Sequence, residues 1–167
     1  MLRLVVWIIF LSALGLKAQV ESAGSDSSVQ TSTSVDVASV QRLLNEAYLH
    51  MRVPYMYGGK SPRGFDCSGF VGYCFGQTLQ QDMPQRSADY MDFGQEISLM
   101  DCRPGDIICF NGRSINRIIG HVGIIVDGHS DNPLFIHAST SQGVRVDALK
   151  SPYFEPRFVG VRRVIQP

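Results

Sequence analysis

The chain has 167 residues, 44% of them hydrophobic and 18% charged, enough to bury a real core in one compact domain. Fifteen basic residues balance fifteen acidic ones. A zero net charge gives no electrostatic reason to expect nucleic acid as a partner, while many other substrates stay open.

At the N-terminus Arg3 supplies a short positive region, and residues 4–16 are almost wholly apolar before Lys17-Ala18-Gln19. That pattern predicts a secretory signal peptide over residues 1–18, cut after Ala18. The apolar run is shorter than the roughly 20 residues that span a bilayer. No cysteine follows it until Cys67, which argues against a lipoprotein. Taking Arg3 and Lys17 from the fifteen basic residues leaves thirteen against fifteen acidic ones, a mature charge of −2. The expectation is a periplasmic or secreted monomer without stable membrane insertion. Residues 19–35 are rich in Ser and Thr with few groups to form a core, and are expected to be a disordered spacer. The folded domain is expected over residues 36–167.

Val37, Val40, Leu43, Leu44, Ala47, Tyr48 and Met51 recur at helical spacing, with Ser34 or Asp36 as N-cap. A Pro- and Gly-dense stretch from Val53 to Gly64 follows as a loop. Asp66 then caps a second helix whose buried stripe is Phe70, Val71, Cys74 and Phe75. Cys67 falls in its first turn, where unpaired N–H groups and the helix dipole favour a thiolate and are expected to lower the thiol pKa. Gly69 and Gly72 weaken this helix by roughly 1 kcal/mol each relative to alanine. That points to close packing against them, expected from the sheet that carries the histidines.

Arg86 to Phe93 is predicted as a short helix. Beyond it the chain turns to strands: 106–110, 121–127, 134–139, 143–146 and 158–165, separated by turn signals such as Arg103-Pro104-Gly105-Asp106. Helices first and strands later predict an α+β domain, N-terminal helices packed on an antiparallel sheet. A hairpin turn centred near His129 places His121 and His137 opposite each other on one face, and a register two residues off keeps them diagonal neighbours. The Cys67 helix is expected to pack over that face. Thiol, imidazole and second imidazole then supply nucleophile, base and orienting group.

Other readings of these residues are weaker. Cys74 and Cys109 suit inert core positions. Cys74 lies two turns from Cys67 on one helix, too far to bridge it, and a Cys102–Cys109 disulfide conflicts with a core strand at Cys109. A zinc site from Cys67, His121 and His137 lacks the close ligand spacing of structural zinc. His50 and His129 look like surface or loop residues.

Taken in order, Pro54-Tyr55-x-Tyr57-Gly58-Gly59, Phe65-Asp66-Cys67-Ser68-Gly69-Phe70, Pro84-x-Arg86-Ser87, Pro104-Gly105-Asp106, His121-Val122-Gly123-Ile124 and Ile136-His137-Ala138 resemble the motifs of the NlpC/P60 cysteine peptidases. The resemblance covers about residues 40–165. It implies a papain-like core and hydrolysis of peptide bonds in peptidoglycan stem peptides, either the γ-D-glutamyl bond to a diamino acid or a cross-link. It implies Cys67 as nucleophile, His121 as base and His137 as orienting residue. Tyr55, Asp66, Ser68 and Arg86 match positions the resemblance assigns to substrate. Tyr57 departs from the tryptophan of many members but keeps an aromatic ring. Such chemistry needs no metal or organic cofactor. Two rival classes share the fold: a non-catalytic wall-binding module, and an amidase or acyltransferase using the same three residues.

Overall fold

The computed structural model describes residues 27–112 and 118–165; the expected signal peptide lies outside them. Helix α1 spans Ser27–Leu49, starting upstream of Asp36 and running through part of the expected spacer. Ser and Thr cost a helix only a few tenths of a kcal/mol each, and this span holds neither Pro nor Gly to break it. Polarity alone suggests disorder here, yet no residue forbids a helix. The buried face also differs from the expected stripe. Ser39, Leu43, Ala47 and His50 are buried, whereas Val37, Tyr48 and Met51 are exposed. His50 is therefore not a surface residue. Its Nε2 lies 2.9 Å from Glu46 Oε1, and its ring packs edge-on against Phe65 and Tyr73. Among the described residues no helix is long and apolar enough to cross a membrane.

A two-residue pair of strands, β1 (Lys60–Ser61) and β2 (Gly64–Phe65), folds the loop back before helix α2, Cys67–Leu79. These strands are too short to leave an alternation in the sequence. Helix α2 buries Phe70, Val71, Cys74 and Phe75, the predicted stripe. The short helix expected near Arg86 is a 3-10 helix over Ser87–Asp92. The remaining strands are β3 (Gln95–Ile97), β4 (Ile107–Asn111), β5 (Ile119–Asp127), β6 (Leu134–Ser139), β7 (Gly143–Ala148) and β8 (Phe158–Arg163). They form one antiparallel sheet in the order β3-β8-β4-β5-β6-β7, giving the α+β fold the sequence predicts.

Period-2 alternation splits the sheet between two cores. Val122, Ile124, Ile136 and Ala138 pack with Phe70, Val71 and Phe75 of α2. Ile108, Phe110, Ile125, Phe135 and Val161 pack on the opposite face with Phe154. His121 and His137 belong to this second face, since their rings contact Phe110, Phe135 and Phe154. The expectation that α2 covers the histidine face is thus corrected. Between two histidines and the helix lies the sheet itself, and Cys67 meets β5 at its main chain.

Strands β5 and β6 pair Ile124 with Ile136 and Ile125 with Phe135, then Asp127 with Leu134, so Val126 bulges out of the ladder. Followed up the strands, the register sets His137 opposite Gly123 and makes His121 its diagonal neighbour. Without the bulge, pairing from the turn would shift by one residue and send the two histidines to opposite faces. A Cβ on Gly123 would come within 2.9 Å of the Ile136 carbonyl oxygen and 3.1 Å of His137 Cβ, so the small residue there is what lets His137 lie down across the strand.

The helix glycines serve a different neighbour from the one expected. A Cβ on Gly69 would meet the carbonyl oxygen of Gly59 at 2.1 Å, so the loop, and not the sheet, demands glycine. Gly76 has nothing within 4 Å of such a Cβ. Gly69→Ala is therefore expected to destabilise the fold by about 1–3 kcal/mol through overpacking against backbone. Gly76→Ala on the same helix should stabilise it by up to about 1 kcal/mol. Urea denaturation of the two variants checks the opposite signs.

Candidate active site

The position of Cys67 is built by a cap. Asp66 Oδ1 accepts from the Gly69 N–H at 2.6 Å and from the Ser68 hydroxyl at 3.2 Å, while Oδ2 accepts from the Gly58 N–H at 3.0 Å. The Asp66 N–H in turn donates to the Gly59 carbonyl at 2.9 Å. One carboxylate thus ties the loop to the first turn of α2. Cys67 follows it, 8% exposed, with its Sγ 3.9 Å from the Gly120 carbonyl oxygen. The thiol rests against the main chain immediately before His121.

The histidines form the predicted pair. His121 Nε2 and His137 Nδ1 are 2.8 Å apart, with the ring planes nearly perpendicular at 88°. His137, buried at 2% exposure, places Nε2 2.8 Å from Asp147 Oδ2. The other oxygen of Asp147 lies 2.6 Å from the Arg145 guanidinium. Asp147 was missed by the sequence reading, which ended its strand at Val146. The signal was present: Val144 and Val146 alternate with Arg145 and Asp147 on β7. Arg145 pairs opposite His137 and Asp147 opposite Phe135, so both polar residues share the histidine face.

The electrostatics differ from the expectation of a thiolate at rest. Burial pushes the Cys67 thiol up, and the Asp66 carboxylate beside it adds to the rise. N–H groups of Val122, Ser68 and Cys67 oppose this but are outweighed. Burial also pulls His121 down to about 3, with the neighbouring His137 contributing. His137 is lowered by burial, against the pull of Asp147. The resting site holds a neutral thiol and neutral imidazoles. The helix N-terminus favours the anion, as predicted, but desolvation is the larger effect here.

Tyr55 is half-buried and bridges to Phe65. Its phenol is pushed up by burial, then by Cys67 and Asp66 nearby. The carboxylate of Asp66 is used in the cap described above, and the single proton of the buried Ser68 hydroxyl is shared between that carboxylate and the Gln85 carbonyl, 3.0 Å away. Arg86 lies at the surface, its side chain 77% exposed and held by a two-pronged pair to Asp89. The structure therefore brings His121 and His137 together and sets Tyr55 near Cys67, joins the two groups only through the main chain at Gly120, and gives Asp66 and Ser68 bonds within the fold. All four cysteines are free and buried. Burial drives the thiols of Cys74 and Cys109 up, Cys109 to about 12. Among the described residues no group of three or more His, Cys, Asp and Glu side chains is arranged to hold a metal ion.

An antiparallel sheet carrying a bonded pair of histidines, with a cysteine on a helix N-terminus against its main chain, defines a small α+β domain. The chain belongs to the NlpC/P60 family, whose sequence profile matches residues 52–163. It is 32% identical over 153 residues to the murein DD-endopeptidase MepS/murein LD-carboxypeptidase of Escherichia coli K12, covering 92% of this chain and 77% of that protein. It superposes with a TM-score of 0.66 on an NLP/P60 family protein similar to lipoprotein from Staphylococcus aureus. Sequence identity there is 32%, and the match covers 78% of this chain but only 42% of that one. The peptidoglycan hydrolase RipB of Mycobacterium tuberculosis gives a TM-score of 0.63 at 25% identity, covering 80% of this chain and 68% of RipB.

The raised thiol makes the substrate-free protein a slow target. Iodoacetamide should modify Cys67 before the fully buried Cys74 and Cys109, with a rate still climbing above pH 8.5, the ordinary value of about 8.5 for a free cysteine being the reference. A rate that levels off below neutral pH would contradict the assignment. For His121, the unfolded chain binds a proton near the ordinary value of about 6.5 while the folded chain resists it until about 3. Its stabilising contribution is complete above the unfolded value and is lost as pH falls through that window, by up to about 1.4 kcal/mol per pH unit. Denaturation at pH 7 and pH 5 should show a smaller acid loss for His121→Gln than for the native chain.

Proposed function

We propose that this chain is an exported cysteine peptidase that hydrolyses peptide bonds in peptidoglycan stem peptides, acting as a monomer through Cys67, His121 and His137. The observation that carries the reading is the 2.8 Å bond between His121 Nε2 and His137 Nδ1, on the strand whose main chain touches the Cys67 thiol. That bond leaves Nδ1 of His121 as the nitrogen available to a nucleophile. Its support is joined by the names of relatives that act on murein.

In this mechanism the Cys67 proton passes to His121 as sulfur attacks the scissile carbonyl. Catalytic hydrogen bonds that are long in a resting site shorten in the substrate complex. The developing oxyanion is met by N–H groups at the start of α2, that of Cys67 first. The imidazolium returns the proton to the leaving amine, and water hydrolyses the thioester. Tyr55 flanks the nucleophile and is assigned to substrate. Asp66 and Ser68 contribute by holding the first turn in place, and Arg86 by fixing the segment that follows through Asp89.

Digestion of purified muropeptides, followed by product mass spectrometry, tests the reading. The native protein should release a new amine at the γ-D-glutamyl bond or at a cross-link, and product masses tell the two apart. Cys67→Ala and His121→Ala should lose nearly all activity, about 10³-fold or more, while His137→Gln retains a measurable remainder. Tyr55→Phe should lower kcat/KM with Cys67 labelling unchanged. Binding to peptidoglycan without any cleavage would favour the wall-binding module, and acyl transfer to an acceptor other than water would favour the transferase.

A further inference from the structure

We infer that Asp147 is a positioning residue that dictates the tautomers of both histidines and so keeps the basic lone pair of His121 on Nδ1, the nitrogen that His137 leaves free. The inference rests on the peptidase reading for its catalytic consequence, but its structural content stands on the bonds alone.

Three side chains form a relay from Asp147 through His137 to His121. A carboxylate only accepts hydrogen bonds. Asp147 Oδ2 lies 2.8 Å from Nε2 of His137, so that nitrogen carries the proton. A neutral imidazole holds one N–H, which leaves Nδ1 of His137 as an acceptor. The nitrogen 2.8 Å from it is Nε2 of His121, which must then be the donor. His121 therefore bears its proton on Nε2 and its lone pair on Nδ1. Each link has one consistent assignment, and the carboxylate at the end sets them all.

Without that carboxylate the chain can run the other way. His137 can carry its proton on Nδ1 and donate to His121 Nε2, which moves the His121 proton to Nδ1. His121 in that state carries an N–H at Nδ1, where the peptidase reading needs a base. The groups around His137 match this role. Arg145 takes the second oxygen of Asp147 at 2.6 Å and fixes the carboxylate. Arg145 also bonds Gln142, and rings of Phe135 and Phe154 close over His137. Arg145 lowers His137 and Asp147 raises it, within an overall lowering by burial. During attack the Cys67 proton goes to His121 Nδ1 as the carbon–sulfur bond forms. The positive charge on His121 then faces His137 and, through it, the anion of Asp147. No proton leaves the site until the amine takes it from Nδ1.

Imidazole nitrogen NMR on the full chain labelled with nitrogen-15 histidine, combined with muropeptide kinetics, tests this. The native protein should show His121 and His137 both protonated at Nε2 and bare at Nδ1. In Asp147→Asn the side-chain amide can donate as well as accept, so the fixed tautomers should be lost. kcat should then fall by about a hundredfold or more with little change in KM, a smaller version of the loss seen when a triad aspartate is amidated. Asp147→Glu should restore part of both signals. A native spectrum with His121 protonated at Nδ1 overturns the inference whether or not any variant folds. Unchanged tautomers and full kcat in a folded Asp147→Asn protein overturn it as well. If the native chain cuts no muropeptide yet shows the Nε2 tautomers that Asp147→Asn scrambles, the tautomer relay stands and the peptidase reading falls.

Discussion

The position of the thiol depends on one capped turn. Asp66 gathers the N–H groups of Gly58 and Gly69 and the Ser68 hydroxyl on a single carboxylate, and the Gly59 carbonyl fills the space over Gly69 that any side chain would need. Loop and helix are locked by main chain on main chain, a contact with no rotamers to relax. Cap residues of this kind contribute about 1 kcal/mol to stability, a modest figure beside the geometric task. If the turn slipped, Cys67 would lose its place against Gly120, and the order of the histidines behind it would have nothing to act upon.

The same burial that orders the site also opposes its chemistry. Desolvation raises the thiol and lowers the imidazole, so both groups of the proposed pair are uncharged in the resting protein. An ion pair at rest would carry its own desolvation cost in this setting. A neutral pair keeps the fold compact and leaves charge to develop only when the carbonyl supplies an oxyanion to balance it. Interactions made only at that stage are the ones that accelerate a reaction.

Much of this was legible in the sequence, and the failures share a cause. The second helix, the five strands β4 to β8 and the pairing of His121 with His137 followed from local patterns: a cap before an apolar stripe, and alternation bounded by turns. What the sequence could not supply was which neighbour meets which face. Gly69 was read correctly as a close contact but assigned to the sheet, because a missing Cβ shows that something is near without saying what. The helix was placed over the histidines because alternation assigns two residues to one face without naming the face. His50 was read as a surface residue since one polar side chain among apolar ones gives no hint of Glu46 beside it. Asp147 was passed over at a strand end, where sequence signals for boundaries are weakest. The upstream reach of α1 was hidden by a Ser- and Thr-rich composition that tolerates a helix as readily as it suggests a linker.

The bulge at Val126 separates two demands that an ideal ladder would join. In a regular hairpin, the number of residues in the turn fixes which side chains face which side for the whole length of both strands. Here one unpaired residue absorbs the odd count near the turn, so the outer end of the hairpin, from Gly128 to Pro133, answers to its own packing against the Cys102 carbonyl. The inner end answers to the histidines. The molecule thereby treats parity as a local quantity, reset once along the strand, and the histidine end of the sheet is insulated from the arithmetic of its own loop.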